Sequence, residues 1–303
     1  MPEGGYLKER LSLYLPFAAG LLFLTAVLLL LPYETVYVRD RAYLAMFLVS
    51  VAICVAVFLI GTLFNALLWM RGKGLVGTPE GRLLRVLGLS MKVMLTRRFW
   101  STRGRFVKEA IYLSRLKDRS ATRWLMHLLI LGGFAAMFLL DLVVTFSLDF
   151  LRYGPMIDES GWAKLWLRDF GFDLTGAMIL LGLMIAAVRR FIVRPKIVRT
   201  ELPDAASILF LLAIVLGGFL LEALGIAGSI PGHEINQQYS FLGYALSMAM
   251  PSSWGAYYDQ VWLVHGVMSA LFIAYIPFSK LFHMFATPLA IELEHLLPRE
   301  ARM

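Results

Sequence analysis

Apolar residues in this sequence do not alternate, and they leave no charged stripe between them. They run on in long blocks near 11–33, 42–70, 124–148, 170–188, 205–227 and 258–281. A half-buried strand would alternate with period two, and a surface helix would carry a polar face. Unbroken blocks of this length predict helices that are apolar all round. A bilayer core takes about 20 apolar residues, and only helices and closed barrels satisfy the backbone inside it. The pattern predicts an all-α, polytopic transmembrane helix bundle with six spans. The block 42–70 exceeds the bilayer core, which predicts tilt or a projecting end.

The polar segments between the blocks set the orientation. Segment 71–123 holds fourteen Lys and Arg against three acids, and the turn RRFIVRPKIVR (189–199) is also strongly basic. Lys280, Arg299 and Arg302 follow the last block, whereas 34–41, 149–173 and 228–257 are balanced or acidic. With six spans all the basic segments fall on one side, so the positive-inside rule places both termini in the cytoplasm. Within 71–123, the stretch 82–100 spaces Leu83, Leu84, Leu87, Met91, Met94 and Leu95 at helical intervals between Arg82, Arg85, Lys92 and Arg98. It reads as an amphipathic cytoplasmic helix on anionic membrane lipid, as a docking surface for a soluble partner, or both.

Composition adds exclusions. Hydrophobic residues make up 59% of the 303 and charged residues 17%, which excludes a soluble globular enzyme and a disordered chain. The net charge of +8 follows from the cytoplasmic segments, so no nucleic-acid partner is expected. The single cysteine, Cys54, lies within an apolar block and excludes internal disulfides and a Cys-rich metal site. The first block lacks a small-residue cleavage site and is expected to be retained.

Five histidines remain: His127, His233, His265, His283 and His295. A histidine inside a bilayer is costly without a partner or ligand. His127 opens the third block, and His265 and His283 stand near the ends of the sixth. On a continuous helix their eighteen-residue spacing makes five turns, which puts both on one face about 27 Å apart. Two imidazoles so placed could each ligate a haem. His127 and His283 then share a depth on the cytoplasmic side, as an axial pair for one b haem requires. A covalently attached c-type haem is excluded, because no C-x-x-C-H occurs. For His265, the outer partner is Met137, an open sixth position, or His233 from the outer loop. His295 reads as a surface residue.

These residues carry a family resemblance. The last block, His-x17-His with the context IPFSKLFHMFATP, resembles the gamma subunit of respiratory nitrate reductase. Residues 173–228 are similar to the cytochrome b membrane subunits of heterodisulfide reductase and of the dissimilatory sulfite-reduction-associated complex. The likeness covers about 42–290. It leaves 1–41 as an added N-terminal transmembrane helix and 291–303 as a cytoplasmic tail. The resemblance implies two b haems, a quinone site near the outer one and a cytoplasmic iron–sulfur partner subunit. His127, His265 and His283 match three of the four family ligand positions, and the fourth is Met137 here.

A quinone site needs a proton acceptor. Asp141, one turn beyond Met137, is the first candidate, followed by Glu222 and Asp173. Lys164 and Arg168 could hold a quinone carbonyl or a propionate, or anchor the outer interface with Trp162 and Trp166. Lys280 and Arg123 flank His283 and His127 and are candidates for the inner haem propionates. The expected function is electron transfer between menaquinone or another quinone and the iron–sulfur partner, in the cytoplasmic membrane. Its competitor is a cofactor-free six-helix transporter or membrane anchor.

Overall fold

A computed structural model of the chain describes residues 40–69, 107–158, 160–193, 202–231, 233 and 239–296, with isolated positions between 78 and 104. The expected first span, the N-terminal unit 1–41 up to residue 39, most of the amphipathic stretch 82–100 and the tail beyond 296 lie outside them. Among the described residues there is no strand, and five helices are long and apolar enough to cross a membrane. They contain α1 (Arg41–Trp69), α2 (Ala121–Thr145), α3 (Phe170–Ala187), α4 (Leu202–Ala227) and α6 (Tyr258–Tyr275). A short α5 (Phe241–Ser247) lies between α4 and α6, and α7 (His283–Leu296) ends the described chain.

Local signals explain the boundaries. The Asp40 carboxylate accepts the Ala42 N–H at 2.8 Å and caps α1. Ser120 caps α2 through the Arg123 N–H. A π-helical turn, Lys164–Asp169, leads into α3. Its extra residue per turn re-aims the side chains that enter and leave it.

The helices pack as a layered bundle. Helix α2 runs along α3, where Gly133 lets Ile179 approach and Gly182 admits Ile130, the small-residue contact usual between membrane helices. Helix α6 lies between α1 and α4. The main core joins Ile179 and Leu183 of α3, Leu211, Val215 and Phe219 of α4, and Phe272 of α6, with Phe134 and Met137 of α2 against it. Lipid-facing positions such as Ile53, Leu139, Leu181 and Val264 are exposed, as the absence of a polar face requires.

One expectation is corrected. The block 258–281 is not one continuous helix: α6 ends at Tyr275, Ile276–Phe278 tightens to a 3-10 turn, and Ser279 is extended at φ −122° and ψ 171°. Pro277 has no N–H to continue the ladder. The Ser279 hydroxyl then accepts the Leu281 N–H and starts a new turn, which leads into α7. His265 and His283 therefore stand on different helices, and the five-turn register argument does not apply to them. The break docks on α1, where Asn65 Nδ2 donates to the Pro277 carbonyl at 2.5 Å. A Cβ on Gly61 would lie 2.7 Å from the Phe278 ring and 2.8 Å from Pro277. Gly61→Val is expected to push the break off α1 and cost about 1–3 kcal/mol, read as a lower thermal midpoint in detergent.

Candidate functional site

At the end of α2 where the chain enters from the basic segment, His127 Nδ1 lies 2.8 Å from the Arg123 carbonyl. At the start of α7, His283 Nδ1 lies 2.5 Å from the Lys280 carbonyl. A carbonyl only accepts, so Nδ1 carries a proton in each ring, and the neutral form with that tautomer has its lone pair on Nε2. This is the tautomer a metal-ligating histidine needs, with the opposite nitrogen fixed by backbone. The two rings are electrostatic neighbours, with Arg123 and Arg189 acting on His127 as well. The two rings are thus within electrostatic reach of each other although the helix between His265 and His283 is broken.

Lys280 does not stand free beside this pair. Its ammonium sits 3.4 Å from the Asp204 carboxylate, and Arg190 binds the same carboxylate. The two cations and one acid tie the end of α3, the start of α4 and the turn before α7, which fixes the Lys280 carbonyl that orients His283. Arg123 is exposed, and its part in the site is the carbonyl that orients His127. Asp204 escaped the sequence reading because ion-pair partners far apart in the chain leave no local signal.

His265, on α6, packs on two consecutive glycines of α4. A Cβ on Gly217 would lie 3.3 Å from its Nδ1, and one on Gly218 the same distance from its Cε1. Nδ1 is buried, and the Ile214 backbone is the polar group beside it. Met137, on α2, has its thioether methyl beside Gly176 of α3, where the Phe219 ring of α4 also lies. The expected rival, His233, does fold back onto the bundle, but its Nε2 lies 2.8 Å from the hydroxyl of buried Tyr258 and its ring covers Gly225. Tyr258 precedes His265 by two turns of α6. Between the two ends, Phe134 of α2 meets Phe272 of α6 edge to face, with centroids 6.4 Å apart.

These imidazoles have the donor chemistry that haem iron takes. At the end of the bundle that holds His127 and His283, two rings have Nδ1 fixed by backbone. At the other, the buried His265 ring lies in a glycine cradle that any side chain at 217 or 218 would crowd.

A polar cluster occupies the outer end of α3 and α4. Lys164 and Asp173 are each 1% exposed, and Asp169 is buried between them in sequence. Lys164 Nζ stands 3.6 Å from Asp169, and Arg168 Nε 3.8 Å. Asp173 accepts the Leu242 N–H at 2.6 Å and so holds the start of α5. Glu222 reaches the same place from α4, touching Asp173 and Ser240. It fills the space above Gly243, where any Cβ would collide with its carboxyl. Asp141, the first candidate from sequence, is on an exposed face of α2. Trp162 and Trp166 are exposed, in keeping with interfacial anchors, whereas Lys164 points inward. His295 falls in α7, and Cys54 is buried against Ala270 and Ala274.

Among known families, residues 159–295 match the one described as nitrate reductase gamma subunit. The match holds His265 and His283, while His127 and Met137 precede it. Over 261 residues, 79% of this chain, the sequence is 30% identical to a subunit of dihydromethanophenazine:CoB–CoM heterodisulfide reductase of Methanosarcina mazei, covering 89% of that protein. The corresponding protein of Methanosarcina barkeri is 28% identical over 263 residues, 79% of this chain and 87% of the relative. An EtfAB:quinone oxidoreductase of Syntrophomonas wolfei is 30% identical over 143 residues, 43% of this chain and 20% of that longer protein. No solved structure matches.

Proposed function

From its place in the nitrate reductase gamma-like family of membrane cytochrome b subunits, to which this chain belongs together with its heterodisulfide reductase relatives, we propose that it carries electrons between membrane quinone and a cytoplasmic iron–sulfur partner subunit. It is a multi-pass membrane protein and an electron-transfer subunit of a quinone-linked oxidoreductase complex. In this proposal the protein lies in the cytoplasmic membrane with both termini inside, in six spans that include an added N-terminal helix over 1–41. The di-haem unit covers 42–290, the cytoplasmic tail 291–303, and the complex serves sulfur metabolism.

The observation that carries the reading is the pair His127 and His283, each with Nδ1 bound to a backbone carbonyl and Nε2 free. Two b haems, when bound, supply one-electron carriers at the two ends of the bundle. His127 and His283 would hold the inner one, toward the basic side, where the proposal places the soluble partner. His265 would hold the outer one, with Met137 as the residue proposed beside it. The protein orients these ligands through Arg123, Lys280 and Asp204, and excludes water between the ends with Phe134, Phe272 and the core of α3 and α4. Quinone binds at the outer end beside the polar cluster, with Lys164 and Arg168 as donors to its oxygens.

A dithionite-reduced spectrum of the purified chain, with haem quantified, tests the reading. Two b haems per chain are expected. A protein without a b-type alpha band is a cofactor-free anchor or transporter, and the proposal is then wrong.

A further inference from the structure

We propose that Asp173 and Glu222 share a single proton and relay protons one at a time between quinone and the outer water. The relay rests on the quinone reading above; the shared proton does not. Carboxylate oxygens only accept hydrogen bonds, so two ionised carboxylates in contact have nothing between them. Asp173 Oδ2 is satisfied by the Leu242 N–H, and the Phe241 and Gly243 N–H groups face the same carboxylate. Its Oδ1 is buried and meets no donor among the ordinary groups around it. Glu222 is the group it touches. A proton on Glu222 closes this contact as a hydrogen bond and leaves Asp173 as the ionised member, which its three N–H neighbours favour.

Charge balance points the same way. Asp169, from the turn before α3, and the neutral Ser240, before α5, face Glu222, and Lys164 and Arg168 stand beside Asp169. Among the described residues, two cations stand against three acids in this group, and one proton balances them. An uncompensated charge in a low-dielectric site is expensive, so the one-proton state is the resting one.

Asp173 is fully buried and Glu222, five residues from the end of α4, is partly exposed, so Glu222 is the member that the proposal assigns to proton exchange with the outside. Each quinol oxidised gives up two electrons and two protons. The electrons pass to the one-electron carriers of the chain. Glu222 loses its proton to outer water and is reloaded from a quinol hydroxyl, twice per quinol.

Infrared spectroscopy of the purified holoprotein at neutral pH reads the proton directly. A deuterium-sensitive carbonyl stretch of a protonated carboxyl is expected, and Glu222→Gln should remove it. In Asp173→Asn the cluster is neutral without the proton, so the band should disappear although Glu222 is still there. A band that survives in Asp173→Asn, or in Glu222→Gln, overturns the pair, as does its absence from the unaltered protein. If Asp173→Asn does not fold, Lys164→Met serves instead: loss of one cation should draw in a second proton and strengthen the band, and an unchanged band counts against the pair. The relay is read by stopped-flow reduction of the haem with a soluble menaquinol analogue. Glu222→Gln should slow it on the order of a hundredfold while dithionite reduction is unaffected. An unaltered rate overturns the relay. A wild-type protein that shows the band but is not reduced by quinol retains the shared proton and loses the quinone reading.

Discussion

His127→Ala and His283→Ala should each abolish the same haem, halving the haem content of the chain. The two rings lie on α2 and at the start of α7, within electrostatic reach of each other, and each has its Nδ1 fixed by a backbone carbonyl. A low-spin haem cannot persist with half its axial pair. Redox titration with spectroscopy should show one midpoint lost in both variants and the other kept. Loss of spectrally different haems would break the pairing. Electron delivery to the cytoplasmic partner should stop in both, while quinol still reduces the outer haem. His283 is the more instructive of the two, since its orientation depends on a chain of contacts. The Lys280 carbonyl holds its Nδ1, and Asp204 holds the Lys280 ammonium. Asp204→Ala should therefore disturb the inner haem signal without touching the outer one.

The spans were legible because a bilayer leaves few choices. Charge-free blocks of this length can only be helices there, and α1, α4 and the start of α6 fall within a few residues of the blocks that announced them. The break after Tyr275 was written in the sequence too, as Pro277 followed by Ser279. Hydropathy hides it, since Ile276, Pro277 and Phe278 are as apolar as their neighbours. The histidine constellation was legible by chemistry, because imidazole in a bilayer needs a reason. Its register was not, because register assumes a straight helix.

The polar cluster was half legible. Glu222 and Asp173 stand out as acids in apolar helices, but their mutual contact depends on how α3 meets α4, which no local pattern encodes. Lys164 reads as an interfacial anchor beside Trp162 and Trp166. The π-helical turn changes its direction and takes it inside while both tryptophans remain exposed. Nothing in the sequence pattern singles out Gly217 and Gly218 among the glycines of the membrane helices. Only the His265 ring lying on them gives the pair a purpose.

The outer ligand yields to one substitution. Met137→His should lower the midpoint potential of the outer haem by on the order of 0.1 V, a fraction of the ~0.8 V over which axial ligands tune haem iron. A thioether favours ferrous iron, and a second imidazole removes that preference. Met137 and His265 reach the same turn of α4, Met137 beside Phe219 and His265 on Gly217 and Gly218. A histidine at 137 would then stand at the same turn of α4 as an iron that His265 would hold. The companion variant Gly217→Val crowds the His265 Nδ1, already 3.3 Å from a Cβ at that position, and should cost the outer haem alone. An outer haem that is high-spin in the unaltered protein and low-spin in Met137→His would show an open sixth position in place of a bound thioether. If spectrum and potential are the same with Met or His at 137, that residue does not face the iron. His233 would then have to leave Tyr258 to serve, and Tyr258→Phe, which removes its hydrogen-bond partner, would become the informative substitution.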